Sequence, residues 1–143
     1  MVRVTRVSVA FFFFFIFAEY AKSDSQGRCS KTCVAEKCNT IGIRCGKYCG
    51  VGWSGCPGEK PCDDLDACCK IHDECVDKKA FCFPGMTNVK CHEKFKTCIK
   101  KVQKSGKAGF SMDCPYDMAV PTMVQGMDMA IMLSQLGNSR IEL

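Results

Sequence analysis

Apolar residues recur every three or four positions over three stretches of this chain, and each stretch predicts a helix with one buried side. The first runs from Asp63 to Lys78 without glycine or proline, with a stripe of Leu65, Cys68, Cys69, Ile71, His72, Cys75 and Val76. Asp63 or Asp64 can cap its start, where acidic side chains also suit the helix dipole. The second runs from Asn88 or Val89 to Ser105, with Cys91, Phe95, Cys98 and Val102 on one side, and Gly106 ends it. The third, Pro121 to Leu136, spaces Met123, Met127, Ala130, Ile131 and Ser134 helically. Such a methionine stripe reads as core packing in preference to a lipid-facing surface. Between these stretches, Cys45 to Cys62 holds five glycines and two prolines and predicts loop. Ala80 to Thr87 contains Pro84-Gly85 and predicts a turn. Residues 24–44 carry Cys29, Cys33 and Cys38 among small and polar residues. They read as a short helix or an irregular segment, with Cys29 and Cys33 on one side of a helical turn.

The amino terminus follows a different pattern. Arg3 and Arg6 precede an almost wholly apolar run from Val7 to Phe17, including five consecutive phenylalanines. The run is shorter than the roughly 20 residues that cross a bilayer as a helix. With a small-x-small site at Ala21-Lys22-Ser23, residues 1–23 read as a secretory signal peptide and 24–143 as one domain. All 14 cysteines follow that signal. An even count in a short exported chain predicts a disulfide framework rather than a cytosolic zinc protein. The formal charge is +5, and residues 1–23 supply two of those charges through Arg3, Arg6 and Lys22 against Glu19. The remainder is mildly basic, which suits an anionic surface and offers no basic stripe for a nucleic-acid partner. The last four residues, Arg140-Ile141-Glu142-Leu143, partly match an endoplasmic-reticulum retrieval tail. The expected location is therefore the secretory pathway, outside the cell or in the reticulum lumen.

The helices carry a register. Cys68 and Cys75 lie seven residues apart, as do Cys91 and Cys98, so each pair shares a face. In an antiparallel pair of helices the natural bridges are Cys75–Cys91 and Cys68–Cys98. The same register brings His72 near His92. A parallel pair would need a longer crossover than the chain provides.

Candidate chemistry centres on His72 and Asp73. Calcium takes six to eight oxygen ligands. Asp73 sits mid-helix among cysteines expected to be bridged, so its carboxylate would gain from a cation. Tyr48, Gly50 and Gly52 alternate along the preceding loop, and in a locally extended loop their carbonyls point the same way. Asp63, Asp64 and Asp66 read as caps and solvated surface rather than ligands. Neighbouring helical positions project about 100° apart, so His72 and Asp73 can border one cleft without touching. A neutral imidazole there can take a proton from water at neutral pH.

Tyr48-Cys49-Gly50-Val51-Gly52 followed by Cys68-Cys69-x-x-His72-Asp73-x-Cys75 resembles the calcium loop and active-site helix of secretory phospholipase A2. The Trp53-Ser54-Gly55-Cys56-Pro57-Gly58 insertion is similar to the plant branch of that family. Gly109-Phe110-Ser111, Cys114-Pro115-Tyr116 and Gly126-Met127 are similar to its beta-type members. The resemblance implies a mainly α, disulfide-rich fold with two long antiparallel helices stapled by disulfides beside a calcium-binding loop. It implies hydrolysis of the sn-2 acyl ester of glycerophospholipids by a monomer bound peripherally to phospholipid membranes. It assigns His72 as base, Ca2+ to the carbonyls of Tyr48, Gly50 and Gly52 and the carboxylate of Asp73, and the oxyanion to the Gly50 amide. It also implies the bridge Cys49–Cys69 beside Cys68–Cys98 and Cys75–Cys91.

Two features depart from the family pattern. Animal relatives carry an aspartate after the second-helix cysteine, to orient the catalytic imidazole; His92 stands there and is expected to play a supporting part. Plant relatives usually have 12 cysteines, so Cys45 and Cys82 are expected to form a seventh bridge. Two other functions compete with the enzyme reading: a phospholipase-like lipid- or receptor-binding protein that has lost turnover, and a disulfide-rich inhibitor or lectin-like module. Retention of Asp73 argues against the first, and the His72-Asp73 pair argues against the second.

Overall fold

The computed structural model describes residues 29–80 and 86–139. The expected signal (1–23), the retrieval tail (140–143) and Cys82 lie outside the described residues. Among the described residues four short strands come first: β1 (Cys29–Ser30), β2 (Val34–Glu36), β3 (Arg44–Gly46) and β4 (Ser54–Gly55). Three helices follow: α1 (Asp64–Ala80), α2 (Met86–Lys104) and α3 (Tyr116–Ser139). β1 pairs in parallel with β4, and β2 pairs antiparallel with β3. α1 packs on α2, and α2 on α3. No helix among the described residues is long and apolar enough to cross a membrane.

The helices form where the apolar period places them. Asp63 caps α1, its carboxylate accepting the Asp66 amide at 2.8 Å. The other carboxylate oxygen accepts the Phe110 amide at 3.0 Å and ties the α2–α3 connection to this cap. Leu65, Ile99 and Val120, one from each helix, are fully buried together in the core. α3 starts at Tyr116, earlier than its methionine stripe suggests. The Met118 and Ala119 amides bond to the Pro115 carbonyl, and Pro121 is accommodated inside the helix. Met123 is buried and Met127 packs against the core, whereas Met129, Met132, Leu133 and Leu136 remain exposed. The stripe itself, Met123, Met127, Ala130, Ile131 and Ser134, is buried or half-buried, and the exposed apolar residues lie outside it.

Among the described residues six disulfides staple this frame. Cys68–Cys98 and Cys75–Cys91 join α1 to α2 in the antiparallel register, and Cys49–Cys69 ties the glycine-rich loop to α1. Cys29–Cys56, Cys33–Cys62 and Cys38–Cys114 fasten the amino-terminal segment to that loop and to the start of α3. Bridges of this kind typically contribute about 2–4 kcal/mol each, chiefly by restricting the unfolded chain.

Two expectations are corrected. Cys29 and Cys33 are not on one helical turn, because the segment is strand and turn and the two cysteines bond to different partners. Ser30, Lys31 and Thr32 between them offer no apolar face for a helix to bury. Cys45 is a free, buried thiol, so the Cys45–Cys82 bridge is not formed. Cys45 lies at the start of α1, its sulfur within 4.8 Å of those of Cys38 and Cys114.

Candidate active site

The glycine-rich loop is held from below by one buried acid. Asp66, on the first turn of α1, is fully buried and accepts three backbone amides. These are Lys47 at 3.0 Å, Tyr48 at 2.8 Å and Cys62 at 2.9 Å. Gly46 passes so close that a Cβ there would overlap the carboxylate. Sequence reasoning gave Asp66 a capping or solvated role. Two of its three partners lie 18 and 19 residues upstream, and no local pattern marks that contact. The one available signal was an acid at a position that the helix buries.

Tyr48 is fixed at both ends. Its amide donates to Asp66, and its hydroxyl donates to the Glu59 carbonyl at 2.7 Å. Its ring lies against Gly55, where any side chain would collide with it. Lys47 Nζ meets Glu59 Oε2 at 2.6 Å, and that hydrogen bond holds the Glu59 carboxyl below its ordinary range. Farther along the loop, the Arg44 guanidinium stacks 3.3 Å from the centre of the Trp53 ring. The loop is turned rather than extended: Gly50 and Gly52 have positive φ, and the Gly50 carbonyl accepts the Trp53 amide at 3.2 Å. The alternation expected for the three carbonyls is therefore replaced by a turn. A carbonyl oxygen has two lone pairs, so the Gly50 bond leaves one available.

His72 and Asp73 project from the middle of α1 into a cleft of about 760 Å³ that the loop also borders. Tyr48, Gly50, Gly52, Asp73, His72 and His92 all line it. Ser54 donates to Asp73 Oδ2 at 3.2 Å, and Asp73 Oδ1 lies 3.9 Å from His72 Nδ1. The two side chains are 27% and 15% exposed, sheltered but reachable. Among the described residues no lysine or arginine forms a salt bridge with Asp73. On the other side of the ring, His72 Nε2 meets His92 Nδ1 at 2.8 Å, and Phe95 packs against the His72 ring at 4.7 Å. Burial, and then the neighbouring His72, push the His92 pKa below its ordinary value, with Glu93 opposing. Ile41, Ile43, Phe95, Met123, Met127 and Leu133 give the rest of the cleft an apolar wall.

These features have counterparts in known proteins. The chain is 66% identical over 115 residues to probable phospholipase A2 homolog 1 of Oryza sativa subsp. japonica, spanning 80% of each sequence. It belongs to the phospholipase A2 family. It is also 50% identical to phospholipase A2-beta of Arabidopsis thaliana over 93% of this chain and 90% of that one. No family model matches the chain. Among solved structures, rice phospholipase A2 in complex with octanoic acid superposes with a TM-score of 0.67 at 37% identity, covering 80% of this chain and 96% of that one. The helical, disulfide-stapled architecture is thus that of the secretory members of the family.

Proposed function

We propose that this chain hydrolyses the sn-2 acyl ester of glycerophospholipids in a calcium-dependent reaction, releasing a free fatty acid and a lysophospholipid. The observation that carries the proposal is the gathering of His72, Asp73 and the Tyr48–Gly52 loop on one apolar-walled cleft. Family membership and the octanoic acid held by the rice relative support the same substrate class.

The donor set fits calcium. The carbonyls of Tyr48, Gly50 and Gly52 and the carboxylate of Asp73 are all hard oxygen donors. The Asp73 carboxylate is half sheltered and has no cationic side chain in a salt bridge with it among the described residues. Bound there, calcium would supply positive charge to the ester carbonyl and to the substrate phosphate.

The remaining chemistry belongs to the side chains. His72 Nδ1 faces the cleft and accepts a proton from water as the hydroxide oxygen bonds to the acyl carbon. The Gly50 amide donates to the oxyanion that develops on the carbonyl oxygen. The bond from that carbon to the glycerol sn-2 oxygen then breaks, and the proton held by His72 passes to the departing oxygen. Ile43, Phe95, Met123 and Met127 exclude water from the acyl chain. The protein works as a monomer, peripherally bound to phospholipid membranes. Its six bridges suit an exported protein in an oxidising compartment, outside the cell or in the reticulum lumen.

Single substitutions separate the roles. His72→Ala should lower turnover by about 10²- to 10⁴-fold, the usual worth of a positioned general base, while calcium still binds. Asp73→Asn should weaken calcium binding and turnover together. Near-normal turnover in His72→Ala would remove the base from the proposal.

A further inference from the structure

Glycine is a poor helix former, because it gives up the most backbone freedom and packs no side chain. Inside a helix it therefore calls for a reason, and the usual ones are a positive φ or the close approach of a neighbour. Gly46 and Gly55 have the second reason, since a Cβ at either would overlap Asp66 or the Tyr48 ring. Gly126 has neither. It sits well inside α3 (Tyr116–Ser139), and its φ is not positive. Apart from its chain neighbours and its own helix backbone, a Cβ there would meet no atom within 4 Å. No part of the protein occupies the space that its missing side chain leaves.

That space belongs to the cleft. Gly126 is half-buried and lines it. Residues three apart on a helix are neighbours on its surface. Met123, three before Gly126, is buried, and Met129, three after it, is exposed, and both line the cleft. Gly126 thus marks the stretch where the cleft passes from the interior to the surface. The carboxylates of the cleft, Asp73 and Asp77, both come from α1, and the residues that α3 lends to it carry no charge. The α3 wall therefore suits hydrocarbon and offers nothing to a phosphate or a polar head group. Methionine side chains are unbranched and reshape around an irregular occupant, so the wall beside Gly126 accommodates a bent chain as well as a straight one.

We infer that Gly126 is a specificity-determining residue, whose missing side chain keeps the α3 wall open to a long sn-2 acyl chain. The inference rests on the proposed sn-2 hydrolysis and names the acyl class that this site prefers. The ester carbonyl addressed by His72 and the Gly50 amide carries the sn-2 chain, and α3 is the uncharged wall of the same cleft. A side chain at position 126 would take the volume that hydrocarbon fills, so its size should select for chain length. Helix stability is given up for room.

The test sets two esters against each other on one surface. Mixed vesicles hold two phosphatidylcholines, both hexadecanoyl at sn-1, with hexanoyl or octadecenoyl at sn-2, and calcium is present. Gly126→Leu should lower release of octadecenoic acid relative to hexanoic acid by at least about 10-fold, the low end of what one methylene is worth in a hydrophobic pocket. Gly126→Ala, a better helix former, should raise the midpoint of chemical denaturation and shift the product ratio the same way by less. Trp53, the single tryptophan of the chain, also lines the cleft and reads binding without turnover. Octadecenoic acid should perturb its fluorescence in the wild type, and the Leu variant should need about 10-fold more acid. An unchanged product ratio in the Leu variant would overturn the inference. So would equal loss of both acids, which is damage without selection, or an Ala variant no more stable than the wild type. If the Leu variant does not fold, the Ala variant decides. A wild-type protein that releases neither acid would sink the proposed hydrolysis instead, and the Trp53 titration would still judge Gly126.

Discussion

Removing the Asp66 carboxylate should loosen the loop on which the metal site depends. Asp66→Ala strands the amides of Lys47, Tyr48 and Cys62, each now within 3.0 Å of a carboxylate oxygen. A buried donor left without a partner costs about 1–3 kcal/mol. Three such donors would set an upper limit of about 9 kcal/mol. Lys47 and Cys62 lie nearer the surface and can recover water, so about 3–5 kcal/mol is the expected loss. Asp66→Asn keeps the shape but replaces one acceptor by a donor. With its oxygen on Lys47 and Tyr48, the new NH₂ faces the Cys62 amide, a loss of about 1–3 kcal/mol. Chemical denaturation with the disulfides intact measures both variants. Calcium titration by calorimetry reads the second consequence. The Tyr48 carbonyl belongs to the residue whose amide Asp66 accepts, so Asp66→Ala should weaken calcium about 10- to 100-fold, the usual effect of losing a group that orients metal ligands. An Asp66→Ala protein within about 1 kcal/mol of wild type, below the cost of one stranded donor, would refute this reasoning. Unchanged calcium affinity would refute the link between the buried acid and the metal loop.

Other perturbations have defined outcomes. Gly55→Ala forces its Cβ into the Tyr48 ring, so hydrolysis should fall while the six bridges still form, as steady-state assays and disulfide mapping would report. Burial, and then Asp63 and Asp66, push the Cys45 thiol from an ordinary 9.0 to about 12. Burial, and then Asp63, push the Tyr116 hydroxyl from 10.0 to about 12. Both groups deprotonate more easily in the unfolded chain. Their contribution is intact below pH 9.0 and is lost as pH rises towards about 12. Unfolding curves taken between those values should show falling stability, less steeply in Cys45→Ala. Iodoacetamide at neutral pH should label Cys45 only after unfolding, which peptide mass spectrometry would locate.

The parts legible in the sequence are those with a repeating cause. Leu65, Cys68, Cys75 and Val76 recur at the helical period, and the seven-residue spacing of Cys68–Cys75 and Cys91–Cys98 allows only one compact register. The structure bridges the same two pairs. His72 meets His92 for the same reason. What could not be read depends on contacts distant in sequence. The strands at Cys29–Ser30 and Val34–Glu36 have no apolar alternation and exist because bridges and β3–β4 hold them extended. Asp66 resembles any acid in a first helical turn until the Lys47–Tyr48 backbone descends onto it. Cys45 invited pairing with Cys82 by arithmetic alone, whereas its thiol is free and buried beside Cys38 and Cys114. The turn at Gly50 follows from a carbonyl–amide bond to Trp53 that spacing does not reveal.

The most direct measurement uses a phospholipid carrying different acyl chains at sn-1 and sn-2. Mass spectrometry of the products should find the sn-2 acid and its matching lysophospholipid in the presence of calcium, and neither once a chelator is added. Release of the sn-1 acid, or equal sn-2 release in chelator, would contradict the assignment of loop carbonyls, Asp73 and His72 to one calcium-assisted site.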